Sequence, residues 1–107
     1  MKENEIITGV TTNSITDNSI NIIVKQSLQK TIVIKNSGAT NSIKYKIFGY
    51  VTKNSKIAIP IKQEDELRPG DIYKQFLYQG QYDHAIVSLQ NYVADTPSTY
   101  ILEANVL

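Results

Sequence analysis

The chain has 107 residues, enough for one domain that buries roughly two-thirds of the surface its unfolded chain would expose. Its 11 Lys and Arg residues and 10 Asp and Glu residues give a formal charge of +1, which excludes a broad electrostatic footprint on nucleic acid or anionic membrane. The absence of cysteine excludes disulfides, zinc–thiolate sites and thiol catalysis.

The N-terminal part of the chain predicts short strands separated by polar turns. The opening residues MKENEIITGV contain no apolar run long enough for a signal peptide or a membrane span, so neither is expected. Residues 1–19 are predicted as an N-terminal arm or a first strand, with its strand character in Glu5 to Val10. Further strands are predicted at Ile20 to Lys25 and at Lys30 to Lys35, and in the second Ile32 and Ile34 alternate with the residues on either side.

A polar turn and the longest strand follow. The turn from Asn36 to Ala39 contains Gly38, for which a positive φ angle is predicted. The strand is predicted from Ile43 to Val51. Because side chains alternate between the two faces of a strand, one face is predicted to join the core through Ile43, Tyr45, Ile47 and Val51.

The segment from Ile57 to Ile61 is predicted as a strand that lies at a sheet edge or has the Pro60 position facing away from its neighbour. Isoleucines alternate along it, and Pro60 cannot donate a hydrogen bond to a neighbouring strand. Residues Gln63 to Glu66 are predicted as a charged loop. The sequence from Arg68 to Asp71 predicts a tight turn with proline and then glycine at its two central positions.

Three more strands complete the predicted fold. The strand from Ile72 has apolar residues on both faces, so its orientation is ambiguous. The next, from Tyr82 to Val93, is predicted to bury Val87 and Leu89, and the last runs from Thr99 to Val106. Seven or eight short antiparallel strands with frequent turns predict an all-β sandwich. A closed oligonucleotide-binding barrel is the best competing fold, but that fold expects a basic groove, which this chain lacks.

No pattern in the sequence is typical of an enzyme or a cofactor site. His84 is the only histidine, and without a nucleophile-elbow sequence or further ligands it predicts neither acyl transfer nor zinc binding. Glu64, Asp65 and Glu66 match no calcium-loop spacing and are interpreted as a solvated loop. The chain is therefore predicted not to be an enzyme and to use no metal, cofactor or small-molecule substrate.

Tyrosines and a strand edge give the hint of an interaction surface. Tyrosine combines an apolar ring with a polar tip and is enriched at protein interfaces, although it is equally common in strands. An exposed strand edge can also accept a strand from another chain. The candidate partner-binding residues are Tyr73, Tyr78, Tyr92, Tyr100, Ile57 and Ile59.

Three segments resemble the immunoglobulin-like modules of the bacterial cell-adhesion-related type. They are TIVIKNSG from Thr31, LRPGD from Leu67 and YDHAIVSL from Tyr82. The resemblance extends over residues 30–89 and implies an immunoglobulin-like β-sandwich. It also places Tyr82 where the tyrosine corner of that fold would lie. Such a fold hosts many unrelated functions, so it implies little about activity.

The segment NSGATNSIKYKIFGY, from Asn36 to Tyr50, is similar to sequences of tailed-phage capsid decoration proteins. This resemblance implies a non-enzymatic structural protein that is made in the host cytoplasm and binds the outer capsid surface of a virion. The implied partner is the major capsid protein or another virion protein, with no role for nucleic acid or membrane. The alternatives are an adhesion or scaffold module of a larger assembly and, third, a small hydrolase or lectin.

Overall fold

Eight β-strands form the regular structure of residues 5–14, 19–24, 29–78 and 81–106, which the computed structural model describes. Parts of two predicted segments lie outside these ranges: residues 1–4 and 15–18 of the N-terminal arm or first strand, and Lys25 of the next strand. The strands are β1 (Glu5–Val10), β2 (Ser19–Ile23), β3 (Gln29–Asn36), β4 (Ile43–Tyr50), β5 (Ile59–Leu67), β6 (Ile72–Tyr78), β7 (His84–Asn91) and β8 (Thr99–Val106).

The strands form two four-stranded antiparallel sheets. Sheet 1 has the order β1-β8-β3-β6, and sheet 2 has the order β2-β7-β4-β5. An eight-stranded double sheet with this order is a jelly roll. The predicted all-β antiparallel sandwich is confirmed, whereas its immunoglobulin-like form is corrected, because that fold pairs the first strand with the second. The motifs in the sequence report local strand and turn chemistry, which both folds share, and the order of strands depends on distant pairings.

The core lies between the inward faces of the two sheets. Alternation along the strands places one face of each central strand there, as the sequence predicts. Val87 and Leu89 are fully buried. Val51 is exposed because β4 ends at Tyr50, so its predicted place in the core is wrong. The other buried apolar residues of the central strands include Ile32, Ile34, Ile43, Tyr45, Ile47, Ala85, Tyr100, Leu102 and Ala104.

Strand β5 differs most from the prediction. It begins at Ile59, so Ile57 lies in the connection before it, and it includes residues 63–66, which were predicted as a loop. Two irregularities in the pairing with β4 shift its register around Ile47, which faces Lys62. The shift breaks the simple alternation of the sequence. The buried Leu67 anchors the far end of the strand in the core.

Glycine is required for different physical reasons in the two predicted glycine turns. Gly70 has a φ of 84°, and the amide of Asp71 donates to the carbonyl of Arg68 at 2.9 Å, as the proline–glycine turn predicts. Among the described residues, Gly38 has no positive φ, which corrects that prediction. A side chain at Gly38 would instead collide with the hydroxyl of Ser98. Gly38 thus allows two loops to approach each other closely.

Replacing Val87 with aspartate tests the position of the core. Val87 is fully buried between the sheets, and a carboxylate there would have no partner. We expect Val87→Asp to lower the free energy of unfolding by several kcal/mol, of the same order as the roughly 5 kcal/mol of a marginally stable domain. Urea unfolding monitored by circular dichroism measures the change. Asn21→Asp, at an exposed position on β2, is the control and should behave as wild type. Equal stability of both variants would contradict this core.

Candidate partner-binding surfaces

The structure separates the four predicted tyrosines. Tyr78 and Tyr92 are exposed, but Tyr78 ends β6 while Tyr92 lies in the loop between β7 and β8. Tyr73 is half-buried and packs against the core. Tyr100 is only 6% exposed, and its ring covers Gly9 of β1. The ring of Tyr100 therefore offers no surface to a partner, and the four tyrosines do not form one patch.

Tyr73 belongs to a cluster where the edges of the two sheets meet. Its ring centroid lies 5.1 Å from that of Tyr45, and the ammonium of Lys62 lies 5.6 and 5.7 Å from the Tyr73 and Tyr45 centroids. Asp65 pairs with Lys62 at 3.0 Å, and this hydrogen bond holds the pKa of Asp65 below its usual range. Burial, followed by the charge of Asp65, raises the pKa of Tyr45 to about 12. The cluster closes the side of the core.

The predicted strand edge around Ile57 and Ile59 is protected against pairing. Strand β5 is the terminal strand of sheet 2, which agrees with the predicted edge. However, it contains Pro60, irregular pairing and the charged run 63–66, and its Lys62 covers core aromatic rings. Proline, bulges and charges are the features by which natural edge strands resist pairing with another chain. Ile57 is highly exposed but lies outside the strand.

Exposed apolar residues concentrate instead on the outer side of sheet 1. On the terminal strand β6, Ile72 is 62% exposed, and Phe76 and Tyr78 point the same way. Across the sheet, Ile6 on β1 is 71% exposed. Val33 lies on β3, between the terminal strands β1 and β6. It is paired with Glu103 of β8 on one side and with Lys74 of β6 on the other. We call this surface the apolar face; its residues are Ile6, Val10, Val33, Ile72, Phe76, Tyr78 and Ile101.

A buried amide organises the loops at one end of the sandwich. Asn36 is fully buried at the end of β3. Its Nδ2 donates to the carbonyls of Asn41 and Leu67, both at 2.9 Å. Its Oδ1 accepts from the amide of Gly38 at 3.0 Å and from Oγ of Ser98 at 2.7 Å. We call this the Asn36 end; its loops include residues 11–14, 37–42, 68–71 and 92–98.

A second hydrogen-bonded chain continues from Ser98. The amide of Ser98 donates to Oγ1 of Thr11 at 3.0 Å, and Oγ1 of Thr11 donates to Oδ1 of Asn91 at 2.7 Å. Nδ2 of Asn91 then donates to Oδ1 of Asn13 at 2.8 Å. Among the described residues, no buried side-chain polar atom is left without a partner. The Asn36 end is therefore a satisfied polar network, which fixes the loops.

Asn13 carries this network to the surface. Nδ2 of Asn13 donates to Oδ1 of Asp95, and Oδ1 of Asn13 accepts from the amide of Asp95, both at 2.8 Å. The carbonyl of Asn13 accepts from Nε2 of Gln90 at 2.8 Å. Asp95 has a φ of 65°, which is uncommon outside glycine but tolerated by aspartate. Beside these residues is an open groove of about 250 Å³. We call it the loop groove; its lining is Asn13, Lys44, Gln90, Asn91, Tyr92 and Ala94.

The single histidine lies on the outer side of sheet 2. Nδ1 of His84 is 2.8 Å from the carboxylate of Asp83, and the ring stacks on Tyr50 with 4.8 Å between centroids. In the described ranges, no serine or threonine hydroxyl bonds to this ring. Within the same ranges, no group of three or more His, Cys, Asp or Glu side chains could hold a metal ion. The acidic residues 64–66 lie in β5, where Glu66 accepts a 2.6 Å hydrogen bond from Ser42.

Helices that could cross a bilayer are likewise not found: the part of the chain that the structure describes has none of sufficient length and apolar character.

Several solved structures share the fold at low sequence identity. The Yersinia pseudotuberculosis-derived mitogen is 15% identical over 100% of this chain and 88% of that chain, with a TM-score of 0.57. PliG, the Aeromonas hydrophila periplasmic inhibitor of g-type lysozyme, is 11% identical over 99% and 88%, with a TM-score of 0.55. A chain of the disulfide-linked pili of Bacillus endospore appendages is 11% identical over 100% and 88%, with a TM-score of 0.52. No protein-family model and no curated protein matches the sequence. These similarities define a small all-β sandwich domain and show the fold alone.

Little of the apolar face or of the loop groove could be predicted from the sequence. The sequence of β6 does not show which of its faces points outward, because Tyr73 and Leu77 on one face are as apolar as Ile72 and Phe76 on the other. Pairing with β3 settles it by turning Leu77 into the core. The loop groove joins residues far apart in sequence, so no local signal marks it. The Tyr82 ring covers Gly49 of β4, and the tyrosine-corner role implied by the immunoglobulin-like fold has no basis in a jelly roll.

Alkaline titration tests the burial of Tyr45. Its pKa of about 12 in the folded protein lies above the ordinary value of 10.0, so the folded state holds the proton more tightly. This contribution to stability is complete below about pH 10 and is lost as the pH rises toward 12. We expect Tyr45→Phe to reduce the loss of stability over that range, measured by urea unfolding. The control Tyr78→Phe, at an exposed ring, should leave the pH profile unchanged, and identical profiles for all three proteins would contradict the assignment.

Removing the Asn36 amide tests the polar network. Asn36→Ala would leave buried carbonyl and hydroxyl groups without partners, and each such group costs about 1–3 kcal/mol. We expect a total loss of roughly 2–4 kcal/mol in the free energy of unfolding. Asn41→Ala removes one exposed hydrogen bond to the carbonyl of Pro97 and should cost less than about 1 kcal/mol. Thermal and urea unfolding measure both variants. A smaller effect at position 36 than at 41 would show that the network does not hold this end.

Proposed function

We propose that the chain is a non-enzymatic structural protein that attaches to an assembled protein surface through the apolar face. The specific form we propose is an auxiliary virion protein on the outer capsid surface of a tailed phage, with the major capsid protein as partner. The apolar face carries the proposal, because several exposed apolar side chains gathered on one sheet face of a small domain are typical of interaction sites. The charges of this side of sheet 1 include Lys35, Lys74 and Glu103 and are of both signs, so short-range apolar contacts are proposed as the main attraction.

The size of this face favours an assembled partner over a single subunit. Four strands about 4.8 Å apart and about six residues long, with a rise of about 3.3 Å per residue, give a projected area of roughly 400 Å². One partner in a standard interface contributes about 800 Å². A single subunit would therefore hold the face weakly. The junction between neighbouring capsid subunits provides contacts from two chains at once, one with the apolar face and the other with the adjacent edge of β6, and the second contact adds area beyond the face.

The edge of β6 supplies a second attachment element beside the apolar face. Strand β6 is the terminal strand of sheet 1, and its sequence IYKQFLY contains no proline and one charge, Lys74. An edge of this kind accepts an extended segment of a partner as an added strand. The protected β5 edge, where Pro60 and Lys62 lie, lacks these properties. Strand addition is thus directed to β6 and places the added segment beside Ile72 and Phe76.

The alternative function is an adhesion or scaffold module of a larger assembly. The loop groove favours it, because this concave surface lies at the Asn36 end and stays accessible when the apolar face is covered. In that case the apolar face would join a different protein partner. Absence of enzymatic activity is common to both proposals.

Co-sedimentation tests the proposed function. The protein is mixed with empty capsids of the phage that encodes it, or with unassembled capsid subunits, across a salt series. We expect tighter binding to capsids and weak dependence on salt, because few charges are neutralised. Ile72→Asp should weaken binding by at least about tenfold, since it places a charge in an apolar contact and tenfold equals about 1.4 kcal/mol. Ile23→Asp, at an exposed apolar position on β2 of the opposite sheet, is the matched control.

Three outcomes would contradict the proposal. Equal affinity for capsids and subunits would remove the requirement for an assembled surface. Equal weakening by both aspartate variants would show that the apolar face is not the contact. Failure to bind either form of the capsid protein would exclude the virion role and leave the adhesion or scaffold module.

A further inference from the structure

The loop groove lies on the opposite side of the molecule from the apolar face. Lys44 of β4 and Gln90 of β7 point outward from sheet 2, whereas the apolar face belongs to sheet 1. The core separates the two surfaces. A ligand in the groove therefore leaves the apolar face free, so an inference about the groove goes beyond the proposed attachment function.

The groove presents several polar groups that have no partner within the described ranges. Lys44 forms no hydrogen bond or ion pair there, although Glu66 is its cross-strand neighbour. The Glu66 carboxylate instead accepts from Ser42 at 2.6 Å and lies 4.0 Å from Nε of Arg68. In those ranges, Oε1 of Gln90 also has no partner, while its Nε2 is held by the Asn13 carbonyl. A cation and an acceptor thus remain available to a ligand.

Tyr92 adds an aromatic wall. Its side chain is exposed, and no other described residue bonds to its hydroxyl. An exposed tyrosine offers an apolar ring face and a hydroxyl that both donates and accepts. The loop that carries it is fixed by the hydrogen bonds between Asn13 and Asp95. Such support from a second layer of hydrogen bonds keeps a binding site in one arrangement before the ligand arrives.

We infer that the loop groove binds a saccharide residue that carries a carboxylate. Its hydroxyls match Oε1 of Gln90 and the Tyr92 hydroxyl, and the C–H face of its ring packs on the Tyr92 ring. Its carboxylate accepts a charge-assisted hydrogen bond from Lys44, the one charged side chain that lines the groove. The volume of about 250 Å³ lies below the roughly 300–1,000 Å³ of pockets for drug-sized ligands and suits a single sugar residue.

Two other ligand classes fit the groove less well. An extended peptide adds to a sheet through free backbone groups, but β4 and β7 are paired on both sides. A nucleic acid requires several cations along its phosphates, and the groove has Lys44 alone. A small ligand with many hydroxyls and one negative charge meets neither difficulty.

Amide chemical-shift mapping by NMR tests this inference on the full chain. The probes are methyl glucuronide, its neutral counterpart methyl glucoside, and acetate as a carboxylate without a sugar. We expect methyl glucuronide to shift the amides of residues 13, 44 and 90–94 and to bind about tenfold more tightly than methyl glucoside, because of the charge-assisted bond. Lys44→Gln should abolish this difference. Lys46→Gln is the matched control, because Lys46 points outward on the same strand but lies over Phe48.

The result with Tyr92→Ala separates a sugar site from a simple anion site. This variant should weaken both glycosides and leave acetate unchanged, since only the sugars contact the ring. Acetate binding as tightly as methyl glucuronide would overturn the saccharide assignment. Equal binding of the two glycosides to the wild-type protein would overturn the role of Lys44. Shifts outside the groove, or no saturable shifts with either glycoside, would overturn the site itself. These readouts do not depend on binding to capsids.

Discussion

The buried side chain of Asn36 is the interaction on which the ordered end of this sandwich depends. Its two amide hydrogens and its oxygen reach four other positions, and its backbone also bonds to Gly70 and Asp71. An amide in a dry core is costly unless every group is satisfied, and here each is. Any other arrangement of the loops would leave the hydrogen-bonding groups of the buried Asn36 side chain without partners. The amide therefore selects one arrangement of these loops, including the arrangement that forms the loop groove.

Different edge chemistry gives the two sheets different interaction properties. Strand β5 combines Pro60, irregular pairing and many charges, which oppose the addition of a further strand. Strand β6 has a regular register with β3 over its whole length, and its outward side presents Ile72, Phe76 and Tyr78 together with the single charge of Lys74. The two terminal strands lie side by side, where Lys62 covers Tyr73. The molecule thus protects the edge of β5 and leaves the adjacent edge of β6 unprotected, which would give the proposed attachment a defined direction.

Local chemistry explains which features could be predicted from the sequence. The alternation that buries Val87 and Leu89, and the turn at Gly70, depend on neighbours within a few residues. The jelly-roll order depends on pairings such as β1 with β8, nearly a whole chain apart, and local patterns do not encode these. The same limit applies to Gly38, where glycine is needed because the hydroxyl of the distant Ser98 leaves no room for a side chain. The loop groove joins Asn13 to Gln90 and is equally hidden from a local reading.

Placing the apolar face and the loop groove on opposite sheets has a consequence for avidity. Copies attached to a repeating lattice would all direct their grooves outward at the spacing of that lattice. A polymer with many acidic sugar residues that engaged one groove, as proposed, would then meet the next at high effective concentration. If both proposals hold, each groove would need only weak affinity for its sugar, while the array as a whole would hold the polymer firmly. A shallow and open groove is sufficient for a site that acts in large numbers.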